Sequence, residues 1–215
     1  MKRVLALVMA ATFSICALAG CGAKLPTEKD AKDYVKAVLD VMCTGDYDHS
    51  VKLADVEEGK ESEMRDAAID EVMTQLGEEN GMTEETKAAF REVLIKAFGK
   101  AKYTVGEATK TGDGEYDVAV SVEPLRIFEG AQDKLYAKVE ERREELSALS
   151  ADEINNEVML ILVDILNENL EAPNYDPAEE VVVHYGLLDE KEKLYGCSEE
   201  DGQKVGEKLF SQEGF

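Results

Sequence analysis

The sequence predicts an α+β fold in which helices pack on a small antiparallel sheet. Apolar residues recur every three or four positions in several long segments and alternate with polar residues in a few shorter ones. The order is helices, two strands, helices, one or two strands and a helix, which favours α+β over a doubly wound parallel sheet. A chain of 215 residues can bury a core of its own, and we predict a single domain over residues 27–215.

The first helix is predicted to begin after Thr27. In "TEKD" the Thr27 side chain can accept from backbone N–H groups of the first turn while Asp30 reaches back, which is the pattern of a capping box. Gly45 is a natural end for this helix. Residues 45–59 then predict a turn and a short helix. The apolar residues of the first helix share one face: Ala31, Tyr34, Val35, Val38, Leu39 and Met42.

Two further helices are predicted before residue 100. One covers about residues 62–76 and ends near Gly81, and the other opens at Thr83 and Thr86 and ends before Gly99. The inward-facing residues are Met64, Ala68, Ile69, Val72, Met73 and Leu76 in the former, and Phe90, Val93, Leu94, Ala97 and Phe98 in the latter.

The apolar period then changes from about 3.6 to 2, which predicts a β-hairpin. "TGDG" supplies turn residues that tolerate positive φ, and Pro124 ends the hairpin because proline cannot donate to a strand ladder. The residues that share a face are Ala101, Tyr103 and Val105 in the first strand and Tyr116, Val118, Val120 and Val122 in the second.

Two helices are predicted between the hairpin and the last strands. Residues 125–145 form a charged helix with a sparse apolar stripe of Ile127, Phe128, Leu135, Val139 and Leu146. "SADE", Ser150 to Glu153, is a second capping box. It opens a helix whose apolar run, Val158 to Val163, would be covered nearly all round, so we expect this helix to lie against the sheet. A strand is the alternative, which the cap and the length disfavour.

The remaining segments predict one long strand, one short strand and a terminal helix. "EEVVVHYGLL" alternates Val181, Val183, Tyr185 and Leu187 on one face, which puts His184 on the other side. "DEKEK" turns the chain into a short strand at "KLYG". "SEED", Ser198 to Asp201, caps a helix that carries Val205, Leu209 and Phe210.

The charge of the chain is strongly negative, with 47 Asp and Glu against 24 Lys and Arg. Nucleic acid is therefore an unfavourable partner, because binding to it needs Lys and Arg to displace counterions and no basic stripe occurs. An anionic membrane surface would repel the chain as well. Membrane attachment would have to come from something other than electrostatics.

The amino terminus has the three parts of a secretory signal peptide: Lys2 and Arg3, an apolar run, and small residues before Cys21. "LAGC", Leu18 to Cys21, resembles the lipobox of bacterial lipoproteins at all four positions. The resemblance implies removal of residues 1–20 and a diacylglyceryl thioether on the Cys21 sulfur, which would hold the protein at the extracytoplasmic face of the cell membrane. The alternatives are an uncleaved transmembrane anchor or an ordinary core cysteine.

Residues 21–26 form a short tether in this interpretation. The five residues from Gly22 to Pro26 reach at most about 17 Å. The folded body is therefore expected close to the membrane. Without the first 20 residues the chain has 22 basic against 47 acidic side chains, a net charge of −25.

The order of elements also resembles a class of small lipoproteins from Gram-positive gut bacteria. The resemblance rests on the lipobox, a first helix that ends in "GDYD", the hairpin and a late strand after "APNYDP". Many such proteins carry domains of unknown function with a cystatin-like or nuclear transport factor 2-like fold. The resemblance implies a curved antiparallel sheet wrapped on a helix, and it carries over no catalytic residues.

Cys43 and Cys197 remain after Cys16 in the signal and Cys21 at the lipid site. Outside the cytoplasm such a pair can form a disulfide. The alternative is two separate thiols, buried or isolated.

No motif predicts a catalytic, metal or cofactor site. The chain lacks "HExxH", paired "CxxC", "GxSxG" and "SxxK" patterns, and His49 and His184 have no clustered ligands around them. "TGDGEYD" is expected to put Asp113, Glu115 and Asp117 on one strand face. It lacks the spacing of a helix-loop-helix calcium site, so a solvated hairpin face is favoured over a calcium site.

Two functions of different classes are consistent with the sequence. The favoured one is a non-enzymatic, lipid-anchored binding or interaction module whose partner is a peptide, a cell-wall component or a protein. The alternative is an enzyme with a carboxylate in a cone-shaped pocket, which would require an enclosed apolar cavity around a buried acid. A third hypothesis is an acidic shell that concentrates cations near the wall.

Overall fold

The computed structural model describes residues 18–19, 25–48, 50–51, 53, 59–191 and 193–211. Cys16, Cys21 and His49 lie outside the described residues, as does most of the segment predicted to form a turn and a short helix. Seven helices and an antiparallel sheet occur within the described part of the chain, so the predicted α+β class is confirmed.

Helix α1, Glu28–Thr44, begins and ends where the sequence predicts. The Thr27 side chain accepts from the backbone N–H of Asp30, and the Asp30 carboxylate accepts from the backbone N–H of Thr27 at 2.8 Å, so the capping box is complete. At the other end Gly45 has φ 74°, the left-handed conformation that favours glycine. All the residues predicted for the apolar face of α1 are buried.

The sheet has five strands in the order β1-β5-β4-β3-β2, and all neighbours are antiparallel. The two-residue strand β1 lies within the predicted signal peptide, and the four longer strands form the body of the sheet. The hairpin and both late strands are confirmed. The bounds are Leu18–Ala19 for β1, Lys102–Gly112 for β2, Glu115–Glu123 for β3, Glu179–Asp189 for β4 and Leu194–Cys197 for β5.

The two faces of the sheet differ sharply in composition. On the inner face Val118 pairs with Val183 and Val120 pairs with Val181, and all four side chains are buried. On the outer face the exposed His184 pairs with Asp117, as the alternation predicts. Because a shift of one residue would exchange the two faces, this pattern fixes the register. Helix α1 and the terminal helix α7, Glu199–Leu209, pack on the inner face.

The remaining helices form layers beside and behind α1. Helices α2, Glu61–Asn80, and α3, Glu84–Phe98, pack on α1 and on each other. Helices α4, Ala131–Glu141, and α5, Arg143–Leu146, precede the long helix α6, Ala151–Glu171. The buried apolar side chains of these elements and of the sheet belong to one cluster.

The predicted helix over residues 125–145 is wrong at its start, because helix α4 begins at Ala131. Leu125 is held in β-bridges to Tyr175 and Phe210 instead. Its N–H donates to the carbonyl of Leu209 at 2.8 Å, and its carbonyl accepts from Ser211 at 2.9 Å. These long-range bonds use the backbone groups that a helix at this position would need.

The predicted position of α6 against the sheet is also wrong, although its helical state and its capping box at Ser150 are confirmed. Helix α6 packs mainly on α3 and α4, since the inner face of the sheet is already covered by α1 and α7. Asn156 docks it on the start of α3 by accepting from the Thr83 N–H and the Thr86 hydroxyl, both at 2.8 Å. Residues 158–160 are consequently only half-buried.

Candidate functional site

A pocket of about 470 Å³ lies at the end of the sheet where α1 and α3 end and β2 begins. It is open to solvent on one side. The lining residues come from four elements and the turn before β2: Cys43 and Thr44 of α1, Phe98 and Gly99 at the end of α3, Ala101, Lys102, Tyr103 and Thr104 at the start of β2, and Ser121 and Glu123 of β3.

Local sequence signals bring these elements to a common end. Gly45 stops α1, and Gly99 follows the last residue of α3. The N–H of Ala101 donates to the carbonyl of Phe98 at 2.9 Å, which turns the chain directly from α3 into β2. Pro124 ends β3 on the neighbouring strand. The pocket is thus the gap left where two helices and a hairpin all terminate.

Tyr103 provides a fixed hydroxyl group in the pocket wall. Its hydroxyl donates to Asp40 Oδ1 at 2.6 Å, and the other carboxylate oxygen of Asp40 receives Lys36. Burial, with smaller contributions from the negative charges near it, raises the pKa of Tyr103. Tyr103 therefore stays neutral and acts as a positioned polar group rather than as a base.

An ion pair at the mouth of the pocket joins the two strands of the hairpin. Lys102 Nζ lies 3.3 Å from Glu123 Oε2 and 3.8 Å from the centre of the Tyr175 ring. Both charged side chains are about half exposed, so the pair contributes little to stability. The charges of Lys102 and Glu123 offset each other. Four of the other lining residues carry a hydroxyl group: Thr44, Tyr103, Thr104 and Ser121.

The buried acids of the described residues do not line this pocket. Glu61 accepts from the N–H of Gly59 beside the start of α2, and Asp201 accepts from the Ser198 hydroxyl at the start of α7. The acid that does line the pocket is the half-exposed Glu123. The arrangement therefore differs from the enclosed apolar cavity with a buried carboxylate that the enzyme hypothesis requires.

Cys43 and Cys197 are both buried free thiols in the structure. Cys197 pairs directly with Tyr185, whose ring lies 5.2 Å from that of Tyr34. Cys43 is nine residues further along α1 than Tyr34, or about 13 Å at 1.5 Å per residue. A disulfide needs Cα atoms within about 7 Å. In the structure the two thiols are separate: Cys43 lies in the last turn of α1, and Cys197 lies beside the middle of that helix.

The prediction that Asp113, Glu115 and Asp117 share one face is wrong for Asp113, whereas Glu115 and Asp117 lie on the same face of β3 with the buried Tyr116 between them. Asp113 lies in the turn and pairs with Lys110 at 2.9 Å, whereas Asp117 lies on the outer face and bonds to His184 Nδ1, also at 2.9 Å. Within the described ranges, no group of three or more His, Cys, Asp or Glu side chains is placed to hold a metal ion.

Pro26, which leads into α1 and which we call the entry point, lies at the opposite end of the sheet from the pocket. The Tyr116 hydroxyl donates to the Pro26 carbonyl at 3.0 Å. A Cβ atom on Gly114, in the hairpin turn, would lie 3.2 Å from the Tyr195 ring and 3.3 Å from Pro26, and φ there is +79°. Glycine therefore lets the entering chain lie tightly on the turn.

Helix α1 separates the entry point from the pocket. It starts next to Pro26 and its last residues, Cys43 and Thr44, line the pocket. Its 17 residues span about 25 Å at 1.5 Å per residue. The entry point and the pocket therefore lie at opposite ends of the domain.

The pocket residues other than Cys43 were not identified as a site from the sequence. The signal available was the hairpin itself, because strands that meet in a turn near Asp113 bring Lys102 and Glu123 close together. The pairing of Lys102 with Glu123 cannot be found by counting residues back from the turn, because the register shifts between Val105 and Ala108 and again between Lys110 and Gly112.

Comparisons with known proteins identify the fold only. No family model matches the chain, and no curated protein matches it. Among solved structures, it resembles a protein of Bacillus subtilis subsp. subtilis str. 168 named a "putative lipoprotein (ycdA)", with a TM-score of 0.61 and 12% identity. The match covers 85% of this chain and 56% of that one, so this chain spans little more than half of its neighbour's length.

No comparison tests the cystatin-like or nuclear transport factor 2-like resemblance, which stays a prediction. In the part of the chain that the structure describes, none of the helices has the length and apolar character needed to cross a bilayer.

The two thiols should be protected from alkylation in the folded protein at pH 8. Burial raises the pKa of Cys43 to about 12 and that of Cys197 well above its ordinary value, so the reactive thiolate is scarce. After unfolding in urea without reductant, we expect iodoacetamide to modify both residues. Peptide mass spectrometry reads each site separately. A Cys43–Cys197 crosslinked peptide that disappears only on reduction would contradict the structure.

Proposed function

We propose that this chain is a lipid-anchored extracytoplasmic binding module, held to the cell membrane through a thioether on Cys21. The residues that support the anchor are Lys2, Arg3, the apolar run behind them and "LAGC" at 18–21. The description of the B. subtilis neighbour as a lipoprotein agrees with this proposal, although it concerns that protein. The predicted tether then leads to Pro26, where the chain enters the domain.

The observation that carries the proposal is that Pro26 and the pocket lie at opposite ends of α1. If Cys21 holds the entry end at the membrane, the pocket is directed away from the bilayer. A pocket in that position can receive a partner from outside the cell without competition from lipid. Two acyl chains on Cys21 would suffice for stable attachment despite the negative charge of the body.

The character of the pocket favours binding over catalysis. The pocket is open, four of its lining residues carry a hydroxyl group, and the acid that lines it is half exposed and paired with Lys102. Next to it runs β2, the last strand of the sheet, whose outer edge has no strand partner among the described residues. An extended peptide can use such an edge for main-chain hydrogen bonds and the adjacent pocket for side chains. We therefore infer a peptide segment as the ligand class, ahead of cell-wall sugars.

The anchor predicts a clear effect of Cys21→Ser in the full-length chain. The wild-type protein should sediment with membranes and carry a lipid on its amino-terminal peptide, since the thiol is the atom that is modified. The variant should lack the lipid mass and its signal should remain uncleaved. Cys43→Ser, which leaves the lipobox intact, is the matched control. Lipid-free wild-type protein with residue 21 inside an unmodified chain would refute the anchor.

The pocket predicts a site-specific loss of peptide binding. A pool of random 12-residue peptides is selected on the immobilised wild-type protein, and the best binder is then titrated against two variants. Ser121→Arg fills the pocket and should weaken binding by about tenfold or more, equivalent to about 1.4 kcal/mol.

The matched control is Ala119→Arg, two residues away on the same strand and the same outer face but outside the pocket, and it should leave the affinity unchanged. Equal affinities of both variants and the wild type, or an equal loss in both variants, would count against the pocket as the binding site.

A further inference from the structure

Three leucines at the entry end of the domain are exposed to an extent unusual for the described residues. Leu25, Leu187 and Leu188 retain 53%, 41% and 47% of their accessible surface. The two other large apolar residues with comparable exposure lie elsewhere, Val182 in the middle of β4 and Tyr136 on α4.

The three leucines are grouped around β5. Leu187 is the cross-strand partner of Tyr195. A Cβ atom on Gly196 would meet Leu188 Cδ1 at 2.8 Å, and a Cβ atom on Gly114 would meet both Tyr195 and Leu25, the latter at 3.5 Å. Leu187 and Leu188 thus lie beside residues 194–196 on the neighbouring strand, and Leu25 lies at the hairpin turn, close to the ring of Tyr195. The other edge of β5 pairs with β1. We call Leu25, Leu187 and Leu188 the entry-end leucines.

The length of the tether places this group close to the predicted lipid site. Gly22, Ala23 and Lys24 are the residues between Cys21 and Leu25. Four Cα steps span at most about 14 Å when extended. An acylated Cys21 would therefore hold the entry-end leucines within reach of the headgroup layer, at the high effective concentration that a short linker produces.

The charged residues near the entry-end leucines do not attract this end of the protein to a membrane. The β4–β5 turn carries Asp189, Glu190 and Glu192 against Lys191 and Lys193, and the hairpin turn offsets Asp113 with Lys110. The two turns together have a net charge of −1, so they would not attract an anionic surface. Insertion of leucine into the bilayer interface depends on buried apolar area and requires no excess of positive charge.

We propose that the entry-end leucines insert into the membrane interface beside the lipidated Cys21 and fix the orientation of the domain. This inference rests on the proposed lipid anchor. The occupant is the bilayer itself rather than a second copy of the chain. A stable dimer buries about 800 Å² on each partner, far more than three half-exposed leucines offer, whereas a bilayer needs no complementary surface.

The absence of tryptophan from the sequence gives a direct test. Leu188→Trp in the full-length, membrane-processed protein introduces a single indole at the proposed contact. The purified protein is placed in phosphatidylcholine vesicles that contain lipids brominated on the acyl chains. We expect its emission to shift to shorter wavelength and to be quenched by the brominated lipid.

The matched control is Val182→Trp, at a position with 50% exposure on the same strand. It lies six residues from Leu188, about 20 Å along β4. Its emission should stay that of an indole in water and should not be quenched. Leu187→Trp repeats the test at a second position in case Leu188→Trp does not fold.

The experiment tests the insertion of the leucines separately from the lipid anchor on which that inference rests. If no variant floats with the vesicles, the lipid anchor fails. If the variants float but the indoles at 187 and 188 are no more quenched than the one at 182, the anchor stands and the inserted leucines are refuted. A blue shift that occurs without vesicles and grows with protein concentration would assign the leucines to self-association and would also overturn the inference.

Discussion

The packing of α1 across the inner face of the sheet is the constraint on which the rest of this structure depends. The helix touches all four long strands, and its side chains at Tyr34, Val38 and Leu39 are completely buried. Each such burial contributes about 1.5–3 kcal/mol. Because the helix is capped at Thr27 and stopped at Gly45, its length also fixes the distance between the entering chain and the pocket. The same helix therefore stabilises the core and sets the distance between Pro26 and the pocket.

Much of this fold could be predicted from the sequence because its strongest signals are local. The capping boxes at Thr27 and Ser150 need only residues three positions apart, and the "TGDG" turn with alternating valines specifies a hairpin without reference to the remainder of the chain. The alternation around His184 was sufficient to place that side chain on the outer face. Each of these features depends only on residues that are close together in the sequence.

The features that the sequence missed are decided by distant residues. Leu125 is not helical, because its backbone is hydrogen-bonded to Leu209 and Ser211. Helix α6 does not pack on the sheet, because α1 and α7 already cover the inner face. The separation of Cys43 from Cys197 follows from where β5 lies along α1, because Cys197 is beside the middle of the helix and Cys43 is in its last turn. The pocket is likewise a gap between the ends of separate elements, and no single segment contains its pattern.

The central claim is that α1 holds the pocket away from the membrane to which we propose that Cys21 attaches. It can be measured by energy transfer from a thiol-reactive dye to acceptor headgroups in vesicles, since Cys43 and Cys197 are buried and should not react with the dye. Asp113→Cys marks the entry end and Glu123→Cys marks the pocket, about 30 Å apart along β3. Strong transfer from residue 113 with weak transfer from residue 123 is the predicted result. Equal transfer, or stronger transfer from residue 123, would contradict the account.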